Sequence, residues 1–257
     1  MKTPPKLVPG RRNGQVPGSG IEPSRTVPGL TATLPFPILV STLRHAAQPD
    51  HPADLRRSSG NEGTMNFLAH AVLVGDDPAL IVGGVVGDWI KGPLPGTLPA
   101  DLARGVALHR AIDSHAETHP AFQRSRNRVS PARRRYAGVL VDIYYDHLLA
   151  RDWPQHPPLA DTCQRIYRHI ADRLPEIPDH ARTAMTLMAR EDWLASYARL
   201  AGIADVLQRM SQRARQPNPL TGGEAEFIAD AAGFTMDFEA WYADTRVFVA
   251  GWRAGKF

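Results

Sequence analysis

His109-Arg110-Ala111-Ile112-Asp113 and Asp142-Ile143-Tyr144-Tyr145-Asp146-His147 each set ionisable side chains four residues apart. That interval is close to one helical turn. In helices, His109 stands above Asp113 and Asp142 above Asp146, each pair on a single face. Imidazole and carboxylate groups presented this way are the material of an open metal site inside a helical bundle. The surroundings sharpen the point, because Asp142 and Asp146 are embedded in Val139-Leu140-Val141 and Ile143-Tyr144-Tyr145, and Asp88 in Val85-Val86-Gly87-Asp88-Trp89-Ile90. Carboxylates in such company need a partner or a metal, since an unpaired buried charge is costly or forces neutralisation.

Outward from these stretches the helical period continues and strand signals are few, with hardly any β-branched alternation and no Asn-Gly or Asp-Gly hairpin turn after Met65. The expected fold is all-α, a single compact helical bundle. Helices are expected at about 65–74, 78–91, 100–116, 130–151, 159–173, 179–189, 193–199, 201–214, 222–232 and 236–252. Pro78 suits a first turn, Gly92-Pro93 with Pro95 ends the second helix, and Ser130-Pro131 reads as the cap and first position of the fourth. Gly83, Gly84 and Gly87 are costly inside a helix, so they imply close approach of a neighbouring helix and a central place for Asp88.

Residues 1–64 have another texture. Ten of the chain's 23 prolines lie before residue 53, among Gly, Ser and Arg, without sustained apolar periodicity. Such a stretch cannot bury enough surface to offset its ordering entropy, so it reads as a disordered extension ahead of a folded domain at 65–257. Met65 is itself a candidate translational start. Of the chain's 30 Lys/Arg and 26 Asp/Glu, residues 1–64 hold eight and four, which leaves the remainder balanced at 22 and 22. The net charge of +4 therefore belongs to the extension. One cysteine, Cys163, excludes an intramolecular disulfide and a cysteine-rich zinc site. No run approaches the roughly 18 apolar residues that span a bilayer. A cytoplasmic protein without a membrane partner is expected.

His70, Asp88, His109, Asp113, Asp142, Asp146 and His147 come from four expected helices, and convergence on one divalent cation would satisfy them all. Mixed imidazole and carboxylate ligands fit Mn²⁺, Fe²⁺, Zn²⁺ or Mg²⁺. Read singly, each is more often a satisfied core or capping residue: Asp142 could pair with an arginine of another helix, and His147 could cap a turn. Lys91 and Arg110, beside Asp88 and His109, could hold phosphate oxygens or be ordinary solvated charges. Arg124, Arg126, Arg128, Arg133, Arg134 and Arg135 form a basic cluster with no acid among them. It could steer an acidic protein partner or simply solubilise a helix start. Nucleic acid is disfavoured, since no helix-turn-helix, zinc finger or aromatic-interleaved basic strand accompanies the arginines. Cys163 lies in the polar run Asp161-Thr162-Cys163-Gln164-Arg165, away from every motif, which disfavours a thiolate nucleophile. Trp153, Trp193, Trp241 and Trp252 read mainly as core, as does the stripe Ile203, Val206, Leu207, Met210.

Four motifs together carry a resemblance. Met65-Asn66-Phe67-Leu68-Ala69-His70; Gly87-Asp88-Trp89-Ile90-Lys91-Gly92; His109-Arg110-Ala111-Ile112-Asp113 followed by His119-Pro120; and Asp142-Ile143-Tyr144-Tyr145-Asp146-His147-Leu148-Leu149-Ala150-Arg151-Asp152-Trp153 resemble the acyl carrier protein phosphodiesterases in order and separation. The resemblance runs from Met65 to about Met210. It departs from that family's pattern at Gly84, where asparagine is common, and at Trp89, where phenylalanine is usual. It implies an all-helical enzyme, distantly like the histidine-aspartate (HD) phosphohydrolases. That enzyme would hydrolyse the phosphodiester joining 4'-phosphopantetheine to holo acyl carrier protein, an acidic partner, using a divalent metal, typically Mn²⁺ with Mg²⁺ or Fe²⁺ as alternatives. It further implies that Asp88 is a catalytic or metal-binding acid and that His109, Asp113 and Asp146 share its centre; read from the residues themselves, Asp142 and His147 stand behind them. A helical metal phosphohydrolase of a small phosphate ester, and a non-catalytic adaptor for an acidic partner, are the alternatives.

Overall fold

The computed structural model describes residues 66–154, 156–214 and 216–256. The reading of residues 1–64 as a disordered extension lies outside them. Among the described residues the chain is all-α.

α2 (Pro78–Val86) is the central helix. Asp77 caps it, accepting from Ala79 N at 3.0 Å and Leu80 N at 3.2 Å, and every residue after Pro78 is buried. A helix apolar all round belongs inside a bundle. α3 (Ala100–Thr118) crosses it where Gly83 faces Gly105; a Cβ on Gly83 would lie 2.6 Å from Gly105 Cα, so the two backbones meet as only glycines allow. The cost of glycine in a helix is thus offset by contact. α5 (Ala137–Arg151) is buried almost throughout, and α1 (Phe67–Leu73) lies against both α2 and α5. α6 (Leu159–Arg173) covers α2 with Cys163, Ile166, Tyr167 and Ile170. α11 (Ala231–Arg253) runs against α3, α4 (Pro120–Arg128) and α5. α7 (Asp179–Arg190), α8 (Trp193–Ser196), α9 (Leu200–Arg213) and α10 (Glu224–Ala229) complete the fold. Trp241 is buried, while Trp153, Trp193 and Trp252 are half-buried against the core; Ile203, Leu207 and Met210 are inside.

Three expectations need correction. The helix expected to reach residue 91 stops at Val86 and tightens into a 3₁₀ turn, Gly87–Trp89, closed by Ile90 N donating to Gly87 O at 3.1 Å. The extended Ile90 and Gly92, at φ +86, then turn the chain away. The helix expected from residue 130 begins instead as a 3₁₀ segment, Pro131–Tyr136, before α5. Ser130 does not cap it: its N and Oγ both donate to the Glu226 carboxylate, at 2.9 and 2.5 Å. α4 was not expected. His119 starts it, Nδ1 accepting from Ala121 N at 3.2 Å with Pro120 in the first turn, and histidine is not among the usual caps.

Candidate metal centre

The centre forms where α1, the end of α2 and α3 meet. His109 reaches across to α2 and donates from Nδ1 to Gly84 O at 2.8 Å. The carbonyl can only accept, so this bond sets the tautomer and aims Nε2 at two carboxylates, Asp113 Oδ2 at 3.2 Å and Asp88 Oδ1 at 3.6 Å. His109 fits there because position 87 is glycine, whose added Cβ would lie 2.3 Å from His109 Cγ. His70 on α1 stacks on His109 with centroids 4.1 Å apart, and its Nε2 lies 3.1 Å from Asp113 Oδ1. His70, His109 and Asp113 each bring a ligating atom within 4.8 Å of the others, all buried.

The electrostatics are unbalanced. Burial pulls the His70 imidazole down, helped by His109, so His70 is neutral. For His109 burial pulls down as well, but hydrogen bonds with Asp113 and Asp88 outweigh it and push the imidazole up to about 10. Burial would raise the Asp113 carboxyl, yet hydrogen bonds with His109 and His70 hold it well below the usual carboxylate range. Two carboxylates therefore face one imidazolium. Asp88 Oδ2 is buried without a hydrogen bond among the described residues, as is His70 Nδ1. These orphaned polar atoms, with neutral His70 and a proton-holding His109, suit a divalent cation: exchanging the His109 proton for a 2+ ion would match the two carboxylates. Asp88, 13% exposed in its side chain, is the edge that meets solvent.

Other expected members do not join. Asp146 is fully buried but accepts from Leu68 N at 2.9 Å and Ala69 N at 2.8 Å, so it caps α1 across 78 residues of sequence. Burial pushes its carboxyl up to about 8 against the pull of those amides. These bonds hold the helix that bears His70. His147 is turned elsewhere, Nδ1 donating to Tyr197 O at 2.7 Å with its ring edge-on to Phe227. Asp142 is buried but lies outside the ligand group. Lys91 is exposed, and Arg110 donates from Nη2 to Ile90 O at 2.9 Å. Cys163, expected in a polar helix, is on the buried face of α6, and burial, with Asp192 and Asp146 nearby, pushes its thiol up to about 12. It is inert for a reason other than position.

The arginine cluster is not the open patch its sequence suggests. Arg124 Nε bonds Asp237 Oδ1 at 2.7 Å, Arg128 Nε bonds Asp237 Oδ2 at 2.9 Å and also pairs with Asp230, Arg126 pairs with Glu117, and Arg133 pairs with Glu226 at 3.0 Å. Glu117 lies just ahead of the segment, but Asp230, Asp237 and Glu226 come from far along the chain, where no local reading of charge could find them. Among the described residues Arg134 bonds only Asn127, and it and Arg135 remain exposed. Two groups went unmarked in the sequence: Asp237, and His180, whose Nε2 donates to Trp89 O at 2.9 Å. Neither lies in any motif.

Residues 65–245 match the family model described as acyl carrier protein phosphodiesterase. A protein of that name from Yersinia pestis is 34% identical over 161 residues, covering 62% of this chain and 83% of its own length. Another from Photorhabdus laumondii subsp. laumondii is 31% identical over 181 residues, 69% of this chain and 91% of its own. A third from Pectobacterium atrosepticum is 32% identical over 161 residues, 62% and 83% respectively. No solved structure matches.

Proposed function

Because the chain belongs to the acyl carrier protein phosphodiesterase family, we propose that it hydrolyses the phosphodiester between 4'-phosphopantetheine and the serine of holo acyl carrier protein. Water adds across the P–O(serine) bond, leaving the serine hydroxyl on apo carrier protein and free 4'-phosphopantetheine. The observation that carries the metal-dependent form of this reading is the buried group His70, His109 and Asp113, set inside the matched segment with Asp88 at its edge. A divalent ion held by these residues would supply a water of lowered pKa and positive charge for the phosphoryl oxygens. Mn²⁺ is the proposed ion, with Mg²⁺ or Fe²⁺ as alternatives.

The residues divide the remaining work. His109 is oriented through Gly84 O, and Asp113 is oriented between the two imidazoles. Asp88, whose Oδ2 is buried without a hydrogen bond among the described residues while the side chain as a whole is 13% exposed, is placed to take the proton of the attacking water. Arg110 is tethered by one nitrogen at Ile90 O, which leaves further N–H groups for phosphate oxygens, and Lys91 adds a point charge at the same rim. Carrier docking is assigned to Arg134 and Arg135, exposed and without an acidic partner among the described residues, rather than to the whole arginine segment. The catalytic domain is taken as 65–257.

Mass analysis of holo acyl carrier protein incubated with the chain and Mn²⁺ tests this directly. Loss of the prosthetic group, abolished by chelator, is the expected result. An unchanged carrier mass retires the assignment. Hydrolysis of small phosphodiesters alone would favour a small-molecule phosphohydrolase.

A further inference from the structure

Asp88 lies in a three-residue 3₁₀ turn, Gly87–Trp89, closed by the Ile90 N to Gly87 O bond. So short a turn holds its shape poorly alone. Two side chains from other helices grip the carbonyls that follow Asp88: Arg110 of α3 bonds Ile90 O, and His180 of α7 bonds Trp89 O, both at 2.9 Å. The Trp89 ring is pinned from a third side by stacking on Phe67 at 5.4 Å. Arg110 and Phe67 belong to helices that already carry ligands. His180 does not; α7 packs on α6 and α8, outside the centre.

We propose that His180 is a positioning residue for Asp88. By donating to the Trp89 carbonyl, it holds the Trp89–Ile90 peptide at the end of the turn, one residue beyond the Cα from which the Asp88 carboxylate projects toward His109. It thereby ties the site to an outer helix that contributes no ligand. His180 is exposed, so its removal opens no core cavity, and its effect is separable from stability. Glutamine retains an N–H donor able to reach the same carbonyl, whereas alanine does not. The inference rests on the proposed metal centre, and its test has two readouts so that the two ideas can fail separately.

The test compares full-length wild type, His180→Ala and His180→Gln by Mn²⁺ calorimetry, by steady-state hydrolysis of holo carrier protein and by thermal melting. The expected result is that His180→Ala loses about 10–100-fold in Mn²⁺ affinity and kcat while KM for the carrier stays within about twofold, the range for residues that orient ligands from behind. His180→Gln recovers most of both, and all three proteins melt alike. Wild-type affinity and kcat in His180→Ala would overturn the proposal, as would equal impairment of both variants or an effect on KM alone. If the wild type hydrolyses carrier but binds no Mn²⁺, the metal reading fails and the kcat series still decides His180. If it binds Mn²⁺ but hydrolyses nothing, the affinity series decides.

Discussion

Two regions of the molecule gather charge from distant segments into the interior, and they do so with opposite results. Around Asp237, every carboxylate oxygen meets a permanent cation or a hydroxyl: Arg124, Arg128 and Ser125 close on it between α4 and α11. Around Asp113, the partners are histidines whose charge is conditional, and a second carboxylate, Asp88, competes for the same imidazole. Guanidinium cannot lose its proton and leaves the first region closed. Imidazole can, and leaves the second open to a cation. Buried charge marks a site when its compensation is removable.

Removing a member of each region should break different properties. His109→Ala or Asp113→Ala is expected to lower kcat/KM for holo carrier protein on the order of a thousandfold or more, as when a group acting as a unit loses a member. Circular dichroism should show the helices retained. Near-wild-type turnover would erase the distinction between the regions. Asp237→Ala should leave kcat per folded molecule unchanged while costing about 3 kcal/mol of stability, the lower end for a broken buried pair because Arg124 is itself half exposed. That corresponds to a Tm lower by about 6–12 °C in a domain of this size. A stable Asp237→Ala with impaired catalysis would reverse the assignment of roles.

Gly87→Ala is a finer probe, since it changes no ionisable group. Its Cβ would meet His109 Cγ at 2.3 Å, so the ring must leave its bond to Gly84 O, and a loss of about 10–100-fold in Mn²⁺ affinity is expected by analogy with other ligand-orienting contacts. Affinity equal to wild type would show that the close approach is only a packing feature. The smallest effect is expected at the surface. Charge reversal at Arg134 and Arg135 should raise KM for the carrier a few-fold at low salt and not at high salt, where exposed charges are screened. The same reversal at Arg124 and Arg128 should instead act on stability.

The all-α architecture was legible because Met65 onward keeps a helical period, with α2 and α5 apolar all round. His109 and Asp113 were legible because their contact is local, one turn apart on one helix. Asp88 was flagged by the glycines before it, and the reason held: Gly83 admits α3 and Gly87 admits the His109 ring. The contacts of Asp146 were not legible, because an apolar setting reveals only that a carboxylate must be satisfied and not by what. Two backbone amides of α1 bond it across some 78 residues of sequence. The pairing of the arginine segment was hidden for a related reason, since most of its acids lie far along the chain, up to 113 residues away, and charge counted locally cannot see them. His180 had no signal at all, its role depending on a carbonyl 91 residues earlier.

The open centre is claimed to trade a proton for a metal ion, and that exchange can be counted. His109, pushed up to about 10 from its ordinary 6.5, contributes stability to the metal-free fold that is fully present below pH 6.5 and is lost as pH rises through about 10. Metal ligation needs Nε2 without its proton, so apparent Mn²⁺ affinity should rise with pH between about 7 and 10, by as much as tenfold per unit. Calorimetric titration of the wild-type chain with Mn²⁺ at neutral pH, in buffers of different ionisation enthalpy, should show binding with release of about one proton, and His109→Ala should lose that proton together with the binding. Absence of binding, or binding with no proton released, would contradict the account.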